Sequence, residues 1–224
     1  MRIWKGESEA SGKPFCWTRI GPLDGRPLVI LAHGAGAPMT HPFMEGAAFG
    51  LVERGLTVAR FNFPYMDKRT REGRKFPPDR APVLLDTWRA MLDRARKWTG
   101  AGPIVMGGKS MGGRIASMLL AEGRAPEARG VFYLGYPLHP PGRPEKLRNA
   151  HLPEIEVPQL FISGTKDPLC ALSLLHPVLK RIGKSARQIT VEKGDHSLAV
   201  TRKEPMRGSD AWLDAVAAFA TSTR

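Results

Sequence analysis

Apolar residues along this chain come in two rhythms, and the rhythms alternate. Pro27–Ala32, Leu56–Phe61, Ile104–Met106, Gly130–Gly135, Pro158–Gly164 and Gln188–Val191 read as short strands, and the continuous apolar run of Pro27–Ala32 is the mark of a strand covered on both faces. Between them, apolar positions recur three or four residues apart. Phe43, Ala47, Leu51 and Val52 line a helix that ends at Gly55, and Ala81, Leu84, Leu85, Trp88, Met91, Leu92, Ala95 and Trp98 keep helical period for about five turns. Ile115, Met118 and Leu119 start another such stripe. Further helices are predicted from about Ala171 to Arg181 and from Ser209 to Ala220, the last burying Trp212, Leu213, Val216 and Phe219. Strands alternating with helices predict an α/β fold with a mostly parallel central sheet and helices on both faces. Phe15–Ile20 reads as an antiparallel edge strand, 68–75 as a basic loop, and Tyr136–Glu156 as a Pro-rich connection with room for at most a short helix. Neither a repeat nor a linker interrupts the pattern, so residues 1–224 read as one domain.

Right-handed crossovers bring the C-terminal ends of parallel strands to one edge, where ligands bind. Three features of the sequence fall on that edge. After Ile104–Met106 comes Gly107-Gly108-Lys109-Ser110-Met111-Gly112-Gly113-Arg114, in which Gly108–Gly112 fits G-x-S-x-G in the strand–turn–helix context that this motif needs. A phosphate-binding loop would also carry Gly-Lys-Ser, but it requires glycine at position 103, which is Pro103. After Pro158–Gly164 comes Asp167, and after Gln188–Val191 comes His196. The chain order Ser, Asp, His is that of the α/β-hydrolase triad.

The residue types suit the chemistry. A serine hydroxyl needs a base to take its proton, histidine can do so near neutral pH, and a carboxylate holds its tautomer. Each residue also has a plainer reading: Asp167 before Pro168 can start a turn, and His196 can be a structural histidine. Asp195 is a poor acid because adjacent side chains rarely meet head-on, and the histidines at 33, 41, 139, 151 and 176 do not follow the final strand. Donors for an oxyanion are expected from the backbone N–H groups of Met111, at a helix start, and Ala35, in the small-residue loop His33-Gly34-Ala35-Gly36. Gly34, Gly36 and Lys109 are expected to touch substrate.

With Leu31-Ala32-His33-Gly34-Ala35-Gly36, Arg60-Phe61-Asn62-Phe63-Pro64-Tyr65 and Gly107–Arg114, the chain resembles a small, lid-less α/β-hydrolase near the dienelactone-hydrolase-like group. It is most similar to a bacterial branch related to the hydrolase-like domains of testis-expressed and chromatin-complex proteins. The resemblance spans about residues 25–200. Dienelactone hydrolases proper use a cysteine nucleophile where this chain has Ser110. The resemblance implies no large lid, the Tyr136–Glu156 connection being short.

Composition narrows the field further. The chain has 34 Lys+Arg against 21 Asp+Glu, a net charge of +13, but the basic residues are spread over 68–75, 89–97, 143–148, 180–187 and 202–207 with no nucleic-acid-recognition motif. No nucleic-acid partner is therefore expected, whereas the 68–75 segment, following a strand C-terminus, is expected to favour anionic substrates, its plainer reading being a solvated loop. No apolar run reaches the roughly 18 residues that span a bilayer, and the start lacks a signal-peptide core. A cytoplasmic location without membrane partners is expected, with Cys16 and Cys170 as reduced thiols. The expectation is a serine hydrolase of carboxylic esters or thioesters, with no metal and no cofactor. The alternative is a hydrolase-fold interaction module with little or no activity. Oligomeric state is not readable.

Overall fold

Along the strand β3 (Leu28–Ala32), Leu28, Ile30 and Ala32 point to one side and Val29 and Leu31 to the other, and each side meets its own layer of helices. The computed structural model describes residues 2–98, 100–201, 206 and 208–223. The other strands are β1 (Ile3–Ala10), β2 (Lys13–Ile20), β4 (Thr57–Phe61), β5 (Ile104–Lys109), β6 (Ala128–Leu134), β7 (Gln159–Gly164) and β8 (Ala186–Val191). The helices are α1 (Pro42–Glu53), α2 (Pro64–Glu72), α3 (Ala81–Arg96), α4 (Met111–Ala121), α5 (Leu172–Ile182) and α6 (Asp210–Ser222).

Among the described residues the strands form one sheet in the order β1-β2-β4-β3-β5-β6-β7-β8. β2 pairs antiparallel with β1 and with β4, and the remaining pairs are parallel. This is the α/β-hydrolase fold. Helices α1 and α6 cover the side of Val29 and Leu31, while α2 to α5 cover the other. The connection from β6 to β7 carries only a single 3-10 turn, Leu152–Glu154, so among the described residues it forms no large lid. Among the described residues, no helix is long and apolar enough to cross a membrane.

Two expectations need correction. Phe15–Ile20 is not an edge strand: it belongs to β2, which lies between β1 and β4. The true edge, β1, alternates between half-buried and exposed positions and contains Gly6, so it carries no strong apolar signal. It forms because Ser11 and Gly12, both at positive φ, close a two-residue hairpin that zips eight residue pairs. The second correction concerns 68–75. Lys68–Glu72 is the end of α2, and only the residues after it are loop. That helix buries just Pro64, Tyr65 and Met66, too short a stripe to read from sequence. Pro64 at its first position and Gly73 at φ 66° after its last define its ends. Of the dispersed basic clusters, Arg202, Lys203 and Arg207 lie outside the described residues.

Candidate active site

β5, β7 and β8 end side by side, and the loops that follow them meet. Ser110 sits between β5 and α4 at φ 49° and ψ −117°, a conformation that costs a non-glycine residue on the order of 1–3 kcal/mol. The surrounding packing holds it there. A Cβ on Gly108 would overlap Gly113, and one on Gly112 would lie 2.6 Å from the carbonyl oxygens of both Ala32 and His33. The indole N–H of Trp88, on α3, donates to the Gly112 carbonyl at 3.2 Å and fixes the first turn of α4.

The Ser110 hydroxyl lies 2.8 Å from His196 Nε2. On the other side of the ring, His196 Nδ1 lies 2.9 Å from Asp167 Oδ2 and 3.0 Å from Oδ1. Asp167 is fully enclosed, and its Oδ1 also accepts the Leu169 N–H at 2.8 Å. The row therefore has one consistent proton assignment: Nδ1–H donates to the carboxylate, and Nε2 accepts from the serine. Asp195 is occupied elsewhere, accepting the N–H groups of Ser197 and Ala199 within its own turn.

Lys109 is not where substrate contact would place it. Its side chain is buried and its ammonium donates to the His196 carbonyl at 2.6 Å, so it supports the histidine loop from beneath. Burial lowers its pKa to about 8 against the pull of Asp167 and Asp195.

Gly34 packs against Ser110: a Cβ there would sit 3.4 Å from its Cβ and 3.5 Å from the Lys109 carbonyl. Its loop is held from the far side. Buried His33 donates through Nδ1 to the Gly34 carbonyl at 2.6 Å and accepts the Phe63 N–H through Nε2 at 3.0 Å. Burial lowers the His33 pKa to about 4, the bond to Gly34 opposing, so the ring is neutral. The Tyr65 hydroxyl donates to the Ala35 carbonyl at 3.1 Å, and Arg69 donates to the Gly36 carbonyl at 3.3 Å. In a trans peptide the N–H points opposite to its C=O. The carbonyl of Gly34 is claimed by His33, so the Ala35 N–H points away from it. Met111 opens α4, and its N–H is one of four with no acceptor inside the helix.

The sequence reading placed His33 and Tyr65 in motifs and Gly135 and Gly164 at strand ends, and missed what each of the four holds. A Cβ on Gly135, which has φ 67°, would overlap the His196 carbonyl, and one on Gly164 would overlap the Gly194 carbonyl. The only available signal was a glycine at the end of each strand.

A sequence model of the alpha/beta hydrolase domain matches residues 25–223. Among solved structures, the chain is similar to a dienelactone hydrolase from Anabaena variabilis, at 22% identity and a TM-score of 0.71, covering 98% of this chain and 95% of that one. It is similar to Est1E from Butyrivibrio proteoclasticus, at 16% identity and 0.71, covering 98% of each. It is also similar to an alpha-beta serine hydrolase homologue from Coxiella burnetii, at 15% identity and 0.73, covering 97% of this chain and 95% of that one.

Proposed function

The chain belongs to the alpha/beta hydrolase domain family, and from that premise we propose that it is a serine hydrolase of carboxylic esters or thioesters. The observation that carries this reading is the unbroken row Ser110 Oγ, His196 Nε2, His196 Nδ1, Asp167, with neighbours 2.8 to 3.0 Å apart. Ser110 attacks the substrate carbonyl carbon as its proton passes to His196 Nε2, and Asp167 stabilises the imidazolium that forms. The oxyanion is met by the N–H groups of Met111 and Ala35. The imidazolium then gives its proton to the departing oxygen or sulfur, leaving an acyl group on Ser110. Water repeats the sequence: His196 takes its proton as it attacks, and Ser110 leaves reprotonated.

An anionic preference belongs to the same reading. Arg69 lies against the Gly36 carbonyl, so α2 brings its positive charge beside the oxyanion loop. The dienelactone hydrolase and Est1E similarities support the hydrolase fold and leave the acyl group open.

A fluorophosphonate probe tests the assignment. Stoichiometric labelling of Ser110, with parallel loss of turnover of a small activated ester, is the expected result. A protein that stays unlabelled and hydrolyses nothing in a panel of esters, thioesters, lactones and amides is an interaction module instead.

A further inference from the structure

Away from Ser110 lies a cavity of about 800 Å³, bounded by the start of β2, by α2 and by the 73–80 segment; neither Ser110, Asp167 nor His196 lines it. Its walls include Pro64, Tyr65, Pro77, Pro78 and Val83, flat or stiff apolar groups, and the volume is that of a small-molecule site. Four cationic side chains line it, Lys13, Lys68, Arg71 and Arg80, against two carboxylates, Glu72 and Asp79.

Both carboxylates are already engaged. Asp79 accepts Lys13 Nζ at 2.7 Å and the Tyr65 N–H at 2.8 Å, and Glu72 pairs with Arg74 at 3.1 Å. Lys68 rests over the Phe76 ring, 4.5 Å from its centroid, which holds one cationic head at the cavity. Among the described residues, Lys68, Arg71 and Arg80 have no carboxylate partner. Like charges gathered around an apolar hollow repel one another until an anion joins them.

We propose that this cavity is a second ligand site, taking a small organic anion with a flat apolar body: a carboxylate or phosphate ester carried on an aromatic or alicyclic group. The anionic end pairs with Arg71 and Arg80, guanidinium groups suited to two-point contact with carboxylate or phosphate, while the body lies against the prolines and Tyr65. The proposal is independent of hydrolysis and stands whether or not Ser110 is reactive.

Calorimetric titration of the Ser110→Ala protein with 2-naphthoate tests it without turnover. Saturable 1:1 binding is expected, with Kd on the order of 1 mM for so small a ligand. It should be at least tenfold tighter than for uncharged 2-naphthalenemethanol. Arg71→Ala combined with Arg80→Ala should weaken it at least tenfold. Lys184→Ala, an exposed charge beyond α5, should leave it unchanged. Val83→Trp, which fills the hollow, should abolish it in a protein whose melting curve is otherwise retained. Equal affinity for acid and alcohol would overturn the proposal, as would full affinity in the double arginine variant.

Discussion

Around Ser110, backbone touches backbone; around Phe76, side chains face open space. At this sheet edge, an added methyl group on Gly108, Gly112, Gly135 or Gly164 would meet main-chain atoms, Asp167 is held by both His196 and Leu169, and His196 lies between Asp167 and Ser110. Beside α2, cationic side chains without carboxylate partners border a hollow that the chain leaves unfilled. Chemistry that needs atoms fixed to a few tenths of an ångström is built from peptide groups, which cannot rotate away. Recognition that needs only charge and shape, as proposed for the hollow beside α2, can rest on exposed side chains. Substitutions should therefore act steeply in the first region and mildly in the second.

Ser110→Ala is the severest test, with an expected loss on the order of 10⁶ in kcat on a small activated ester, about 8 kcal/mol. A residual rate within tenfold of the parent would mean another group does the work. Asp167→Asn keeps the shape and changes the tautomer that His196 presents, so kcat should fall by about 10⁴ with the fold intact. A loss below tenfold would show that the carboxylate only pins its own loop.

The next effect concerns stability. His33 titrates near 4 when folded and near 6.5 when unfolded, so the unfolded chain binds more protons between those values. Stability should therefore fall by about 3 kcal/mol on acidification from pH 6.5 to 4. Denaturant unfolding of the parent and of His33→Gln across that window should differ in slope; parallel slopes would mean His33 charges in the native state. Gly112→Ala should cost about 2 kcal/mol, read as a shift in the urea midpoint, because the new methyl meets the carbonyl oxygens of Ala32, the last residue of β3, and of His33 after it. At the far end of the scale, Arg69→Gln should change the ratio of kcat/KM for matched anionic and neutral esters by a few-fold, under about 1 kcal/mol. The change should vanish in 1 M salt, where the Debye length is about 3 Å.

How much of this was legible in the sequence follows from where the information lies. β3, β5 and β7 are buried along their whole length, so their apolar runs had to appear as such. Ser110 and Asp167 were readable at strand ends because each follows a run of that kind, whereas His196 follows the half-exposed β8 and was readable only from its place after the last strand. β1 was not readable, since its one pairing partner and half-exposed faces leave almost nothing apolar to see. Nor was α2, whose last five residues are polar and whose stability comes from the buried Pro64, Tyr65 and Met66. Lys109 misled for a related reason. Beside a nucleophile, a lysine suggests contact with substrate, and only the assembled loops reveal the His196 carbonyl waiting beneath it. Tyr65, Gly135 and Gly164, and His33 through Phe63, act on residues remote in the chain, and spacing along one strand carries no trace of such meetings.

The ammonium of Lys109 grips the His196 loop from a point one residue away from Ser110, so both partners ride on a common mount. Tilting the imidazole-bearing loop out of line breaks its bond to the strand end that carries Ser110. On a slow temperature ramp, inactivation and melting should accordingly coincide, with no interval in which an intact fold has gone catalytically blind.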